Sequence, residues 1–153
     1  RGTNMKRSLI FFALILSAVT WLTTACVLLA KPPTKILITE LSALQFTSAM
    51  AGSGAQSEVV LPGDAGAAEF NITGEPLQTI TISILGTLEL TRTNDKIPIE
   101  TFYYGGSLDS LGIGTVDVGG DLNGIKIGAK INIPANPVPG NYIGKFKLRA
   151  VYQ

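Results

Sequence analysis

Ile125-Lys-Ile-Gly-Ala-Lys-Ile-Asn-Ile133 places Ile125, Ile127, Ala129, Ile131 and Ile133 on one side of an extended chain. Lys126, Gly128, Lys130 and Asn132 fall on the other. Successive side chains of a strand point to opposite faces, so alternation this strict means a strand with one buried face. The four isoleucines are expected to point into a core and the lysines to face water.

The same period continues outward. In Gln78–Ile84, Ile80, Ile82 and Ile84 alternate with Thr79, Thr81 and Ser83. Shorter runs recur at Ile36–Leu41, Ser57–Leu61, Ala68–Thr73, Leu88–Thr93, Ile97–Tyr104 and Ile113–Val118, and a last one at Tyr142–Tyr152. Turn residues punctuate them: Pro62-Gly63-Asp64, Asn94-Asp95, and the proline-rich Asn136–Gly140. Asn123-Gly124 between two alternating runs is a hairpin signal of the type I′ kind. Eight or nine short strands at this spacing predict an all-β fold, an immunoglobulin-like Greek-key β-sandwich over residues 35–153.

The first residues follow a different logic. Met5-Lys6-Arg7 is basic, Leu9–Leu22 is apolar apart from Ser17 and Thr20, and Thr23-Thr24-Ala25-Cys26 is small. That order describes a secretory signal peptide, with Arg1–Asn4 upstream of the start. Residues 1–25 are therefore set apart as upstream residues and signal peptide, and residues 26–34, which include Pro32-Pro33, as a stiff spacer. Three fates stay open: cleavage after Ala25, lipidation of Cys26, or retention of the uncharged Ser8–Ala30 stretch as an anchor, since its 23 residues can span a bilayer. All three export the domain, to the periplasm, the outer surface or the medium.

Composition excludes most catalysis. The 153 residues contain no His and one Cys, so there is no imidazole base, no Ser–His or Cys–His pair and no intrachain disulfide. Loss of residues 1–25 removes Arg1, Lys6 and Arg7 and leaves 9 basic against 11 acidic residues, a net charge of −2. That argues against nucleic acid as a partner. Membrane contact is expected only through the N-terminal segment or Cys26.

Other candidates have ordinary explanations. Asp117, Asp121 and Asn123 could offer oxygen ligands to Ca²⁺, but the spacing is not that of an EF-hand and a turn accounts for them. Glu69 and Glu75 could act as an acid/base pair only if they faced each other, and exposed carboxylates are the simpler reading. Phe102 and Tyr104 alternate with Tyr103, which puts the first two in the core. No phosphate loop and no nucleophile elbow is present. No enzyme, cofactor or metal site is expected.

The C-terminal stretch Gly140–Gln153 puts Tyr142, Phe146, Leu148, Ala150 and Tyr152 on one face and Lys145, Lys147 and Arg149 on the other. With Gly140 fourteenth from the end and Tyr152 penultimate, it resembles the C-terminal motif of chaperone–usher pilus subunits. The resemblance implies strand pairing with a periplasmic chaperone and exchange of strands between subunits. A wider resemblance covers residues 36–153. Leu44-Gln-Phe46, Phe70-Asn-Ile72-Thr-Gly74-Glu-Pro76, Ile127-Gly128, Ile131-Asn-Ile133-Pro-Ala-Asn136, Gly140-Asn-Tyr142-Ile-Gly144 and Val151-Tyr152 are similar to a bacterial family of secreted β-proteins known as a domain of unknown function. Thr47 stands where that family has Gly, and the chain lacks a long N-terminal donor strand unless Lys35–Leu41 is one.

These readings lead to an exported structural or adhesive subunit of a bacterial surface or fimbria-like assembly. Its assembly strands would carry Gly140, Tyr142, Phe146, Leu148 and Tyr152 on one side and Ile36 and Ile38 on the other. Other copies or related subunits are the expected partners. The alternative is a lipid-anchored or periplasmic binding module that acts as a monomer.

Overall fold

The computed structural model describes residues 31–47, 54–86 and 88–153. The chain divides into Arg1–Pro32 and Pro33–Gln153. The expected export segment, with Cys26, lies outside the described residues.

Among the described residues nine strands form: β1 Leu37–Ser42, β2 Gln56–Val60, β3 Ala68–Thr73, β4 Thr79–Leu85, β5 Glu89–Arg92, β6 Asp95–Gly106, β7 Ile113–Thr115, β8 Asp121–Ile133 and β9 Lys147–Tyr152. Each falls on one of the alternating runs, and no helix occurs among the described residues. The strands make two sheets, one ordered β1-β3-β8-β6-β5 with β2 also on β8, the other β7-β4-β9. Every ladder is antiparallel.

The Ile125–Ile133 run organises the larger sheet. Along one edge of β8, β3 pairs with Asp121–Ile127 and β2 with Ala129–Ile133. The other edge takes β6 between Ile125 and Ile131. Both β2 and β3 run antiparallel to β8, so they are two halves of one side, interrupted by the loop at 61–67.

Two apolar clusters result. The first joins both sheets, with Phe70 and Ile72 of β3, Ile80 and Ile82 of β4, and Leu122, Ile125 and Ile127 of β8. The second lies further along β6 and β8 and holds Ile97, Ile99, Ala129, Ile131 and Ile133. Ile125 and Ile127 are 0% exposed, Ile131 3% and Ile133 5%, as the alternation requires. Phe102 and Tyr104 pack on the first cluster. Lys130 faces the opposite side, but its Nζ meets Glu100 at 2.7 Å instead of standing free in water.

Two sequence expectations need correction. Asn123-Gly124 is not a hairpin tip: both residues lie inside β8. The register shifts between Phe70↔Ile125 and Ile72↔Leu122, so two residues of β8 oppose Asn71 alone, which is a β-bulge. Gly124 takes φ 71°, and its N–H donates to Asn71 Oδ1 at 3.0 Å. A positive φ in an Asn-Gly pair serves a bulge as well as a turn, so the local signal was right about the backbone and wrong about the topology.

The last run also changes character midway. β9 begins only at Lys147. Upstream, Ile143 makes a lone antiparallel bridge to Thr91 of β5. The segment crosses from the edge of one sheet to the edge of the other.

Candidate functional site

The residues expected to carry assembly converge on this crossing segment and on β1. Ile36 and Ile38 pack against the first cluster of their own chain. β1 pairs with β3 from Leu37↔Thr73 to Ser42↔Glu69. Tyr142, Phe146, Leu148, Ala150 and Tyr152 are all half-buried, and Lys145, Lys147 and Arg149 are exposed, as their alternation predicted. Phe146 sets its ring against Phe102 at 5.3 Å and edge-on to Phe70 at 6.4 Å. Leu148, Ala150 and Tyr152 lie opposite Ile84, Ile82 and Ile80 of β4.

Tyr152 does more than fill space. Its hydroxyl accepts from the Glu75 N–H at 2.7 Å and donates to the Thr34 carbonyl at 2.6 Å. The Glu75 carboxylate in turn accepts from the Thr34 N–H at 2.9 Å and from the Thr34 hydroxyl. One phenol thus ties β9 to the entry of β1 and to the β3–β4 turn. A Cβ on Gly74 would come within 2.6 Å of that hydroxyl, so the Thr73-Gly74-Glu75 motif and the penultimate Tyr are halves of one contact. Sequence separation hid this: each motif was visible, their meeting was not.

Gly140 also has a role within the chain. Its φ is 145°, and a Cβ there would collide with the Arg92 side chain of β5. Thr91 and Ile143 exchange both main-chain hydrogen bonds, at 2.9 and 3.0 Å. The tail therefore docks on β5 just past Gly140 before it turns toward β4.

Between these anchors lies a groove of about 1630 Å³. Ile38, Glu40 and the stretches 43–47 and 137–148 line it, together with side chains of the second cluster such as Leu90, Ile99 and Ile131. Small-molecule pockets span roughly 300–1,000 Å³, and this groove exceeds them. Glu40 and Glu58 line it with Lys145 and Lys147. Glu58 is engaged by the Thr47 N–H and hydroxyl at 2.5 and 2.6 Å. β1 is an outer strand of one sheet and β9 an outer strand of the other, and residues of both border the groove, Ile38 and Glu40 on one side and Lys147 and Leu148 on the other.

The remaining candidates resolve into local structure. Asp117 Oδ1 accepts from the N–H groups of Gly119 and Asp121 at 2.8 and 2.9 Å, which makes it a turn residue at the entry to β8. Among the described residues no group of three or more Cys, Asp or Glu side chains is placed to hold a metal ion. Glu69 pairs across the ladder with Lys126, while Glu75 serves Thr34. Tyr104 is partly buried, and that burial pushes its phenol above the ordinary tyrosine range against a hydrogen bond to the backbone of Ile84.

Fold and site together define a two-sheet β-domain whose C-terminal segment crosses from one sheet to the other and leaves a groove beneath it. The chain belongs to a family described as a domain of unknown function (DUF4402), whose model matches residues 36–152. Comparisons with curated proteins and with solved structures gave no match.

Proposed function

We propose that this domain is an exported structural or adhesive subunit of a bacterial surface or fimbria-like assembly, with an immunoglobulin-like Greek-key sandwich as its architecture and strand addition as its means of association. The observation that carries the reading is the groove between the margins at β1 and β9. An extended partner there would use main-chain hydrogen bonds for affinity and alternate side-chain pockets for specificity. The partners would be other copies, related subunits or a periplasmic chaperone, and the setting periplasmic or extracellular.

Deletion of residues 26–41, with and without an added Lys35–Leu41 peptide, tests the idea. Heat-resistant ladders of the full-length protein, abolished by the deletion, are expected. A monomeric full-length protein whose deleted form unfolds and is not rescued by peptide would sink it.

A second reading, a lipid-anchored or periplasmic monomeric binding module, draws on a specific observation. β1, Gly140 and Tyr152 all find partners within their own chain. Under that reading the groove holds an extended ligand while the protein stays monomeric.

A further inference from the structure

We propose that the segment Pro134–Gln153 is an exchangeable arm, able to leave its own body at its prolines and complete β4 and β5 of a second copy. The inference concerns the opposite end of the domain from the β1 deletion above and stands or falls separately.

Three observations carry it. The first is where the arm is held. It pairs with β4 from Ile80↔Tyr152 to Leu85↔Lys147 and bridges to Thr91 of β5. It docks Phe146 on Phe70 and Phe102, and Tyr152 on Thr34 and Glu75. Each of these partners precedes Pro134. An identical arm from another copy would therefore make identical contacts, and exchange would cost only association entropy and whatever the hinge resists.

The second is the hinge. Pro134, Pro137 and Pro139 fall within six residues. Among the described residues no backbone–backbone hydrogen bond involves positions 134–141. Proline fixes its own φ and pushes the preceding residue toward extended geometry. Such a linker is locally stiff, and it bends at Ala135-Asn136 and at Pro139-Gly140 without a ladder partner of its own.

The third is the packing beneath it. The groove borders Pro137–Leu148, and there the arm meets the body at separate points, Gly140 at Arg92 and Ile143 at Thr91, with no continuous ladder. Only the β9 end is held by a continuous ladder, so the hinge half has a single bridge to release before the segment can exchange.

The partner is thus a second copy of this chain. Ser83 of β4 and Arg149 of β9 are directly opposite, so cysteines at these positions report whose arm lies on whose β4. The full chain would be made as two variants, Cys26→Ser with Ser83→Cys and Cys26→Ser with Arg149→Cys. The two would be mixed, partly unfolded, returned to native buffer at high concentration and oxidised. Exchange predicts covalent heterodimers at least about tenfold in excess over homodimers of either variant, and an excess that falls severalfold when Pro137 and Pro139 are both replaced by Ala. Joining Ser83→Cys and Arg149→Cys in one chain and oxidising it first as a monomer should block dimer formation. Heterodimers at the statistical ratio, or no covalent dimer at any concentration, would overturn the exchange. An excess indifferent to the proline replacements would overturn the hinge.

Discussion

Ile127 and Ile131 sit on the same face of β8 and are almost equally buried, at 0% and 3% exposure, yet they are covered by different things. Ile127 lies in the cluster that both sheets close around, with β4 on the far side. Ile131 lies in the cluster roofed by Leu44, Phe46 and Tyr142, which belong to segments outside the ladders. A sheet laid over a sheet interdigitates side chains along its whole length. Crossing segments touch only where a side chain reaches down, and the groove is what remains between those touches. One strand therefore serves a sealed core at one end and the floor of a groove at the other.

The sharpest way to break that comparison is to truncate both isoleucines. Ile127→Ala is expected to cost about 4–5 kcal/mol, near the top of the range for buried Ile to Ala, because the sheets cannot collapse onto the void. Ile131→Ala is expected to cost about 2–3 kcal/mol, since the roofing segments can settle into the space. Urea unfolding of each variant gives both numbers. Equal costs would mean that the second cluster is as rigidly packed as the first.

The arm shows the same contrast within one segment. At its β9 end, Tyr152→Phe removes a hydroxyl that donates to the Thr34 carbonyl and accepts from the Glu75 N–H. The expected loss is about 1–2 kcal/mol. At the hinge end, Gly140→Ala meets a positive φ and the Arg92 side chain, for about 1 kcal/mol or somewhat more. Adding Arg92→Ala should recover the part due to collision and leave the backbone part. If Gly140→Ala proves the costlier of the two, the arm is held more by its seat on β5 than by the Tyr152 hydroxyl.

Much of this was legible from period two alone. All nine runs became strands, and Ile125, Ile127, Ile131 and Ile133 took the inward face that Lys126 and Lys130 implied. What stayed hidden was pairing. Alternation reports that a chain is extended and which side is wet, and says nothing about its neighbour. Residues 142–152 therefore read as one strand, although the neighbour changes from Thr91 to Leu85 between Ile143 and Lys147. Asn123-Gly124 was misplaced for a related reason, because its positive φ is set locally while bulge or turn is decided by Asn71, far away in sequence. Gly140 and Tyr152 stood out as endpoints of an assembly motif, and the contacts that explain them within the chain, Arg92 and the Thr34–Glu75 pair, could only be seen once folded. The groove had no sequence signal at all, since it arises from which segments fail to cover the second cluster.

The smallest expected effect lies on the outer surface above Ile131, where Glu100 sits at a bulge in β6 between Ile99↔Ile131 and Thr101↔Lys130. Its carboxylate accepts from Lys130 at 2.7 Å and from the Asn132 amide at 3.0 Å. The Lys130 hydrogen bond, and secondly that of Asn132, hold the Glu100 carboxyl below the usual carboxylate range. The same carboxylate holds the Lys130 ammonium above the usual lysine range. A carboxyl with a lowered pKa in the folded state stabilises fully above its unfolded value and loses that contribution as pH falls through the folded one. A raised ammonium stabilises fully below its unfolded value and loses its contribution as pH rises through the folded one. The pair therefore works across the neutral range and fails at both extremes. Its side chains are 30% and 46% exposed, so water and salt screen it and the effect is small. Glu100→Gln should lower the melting temperature slightly at pH 7, and the difference should vanish once the pH drops below the Glu100 titration. It should also shrink in 1 M salt, where the screening length is only about 3 Å. Ile131→Ala, on the other face of the same sheet, should cost the same at every pH and salt concentration. A Glu100→Gln deficit that persists unchanged into acid would show that Glu100 acts by shaping the bulge and not by its charge, and would place it with the packing residues beneath it.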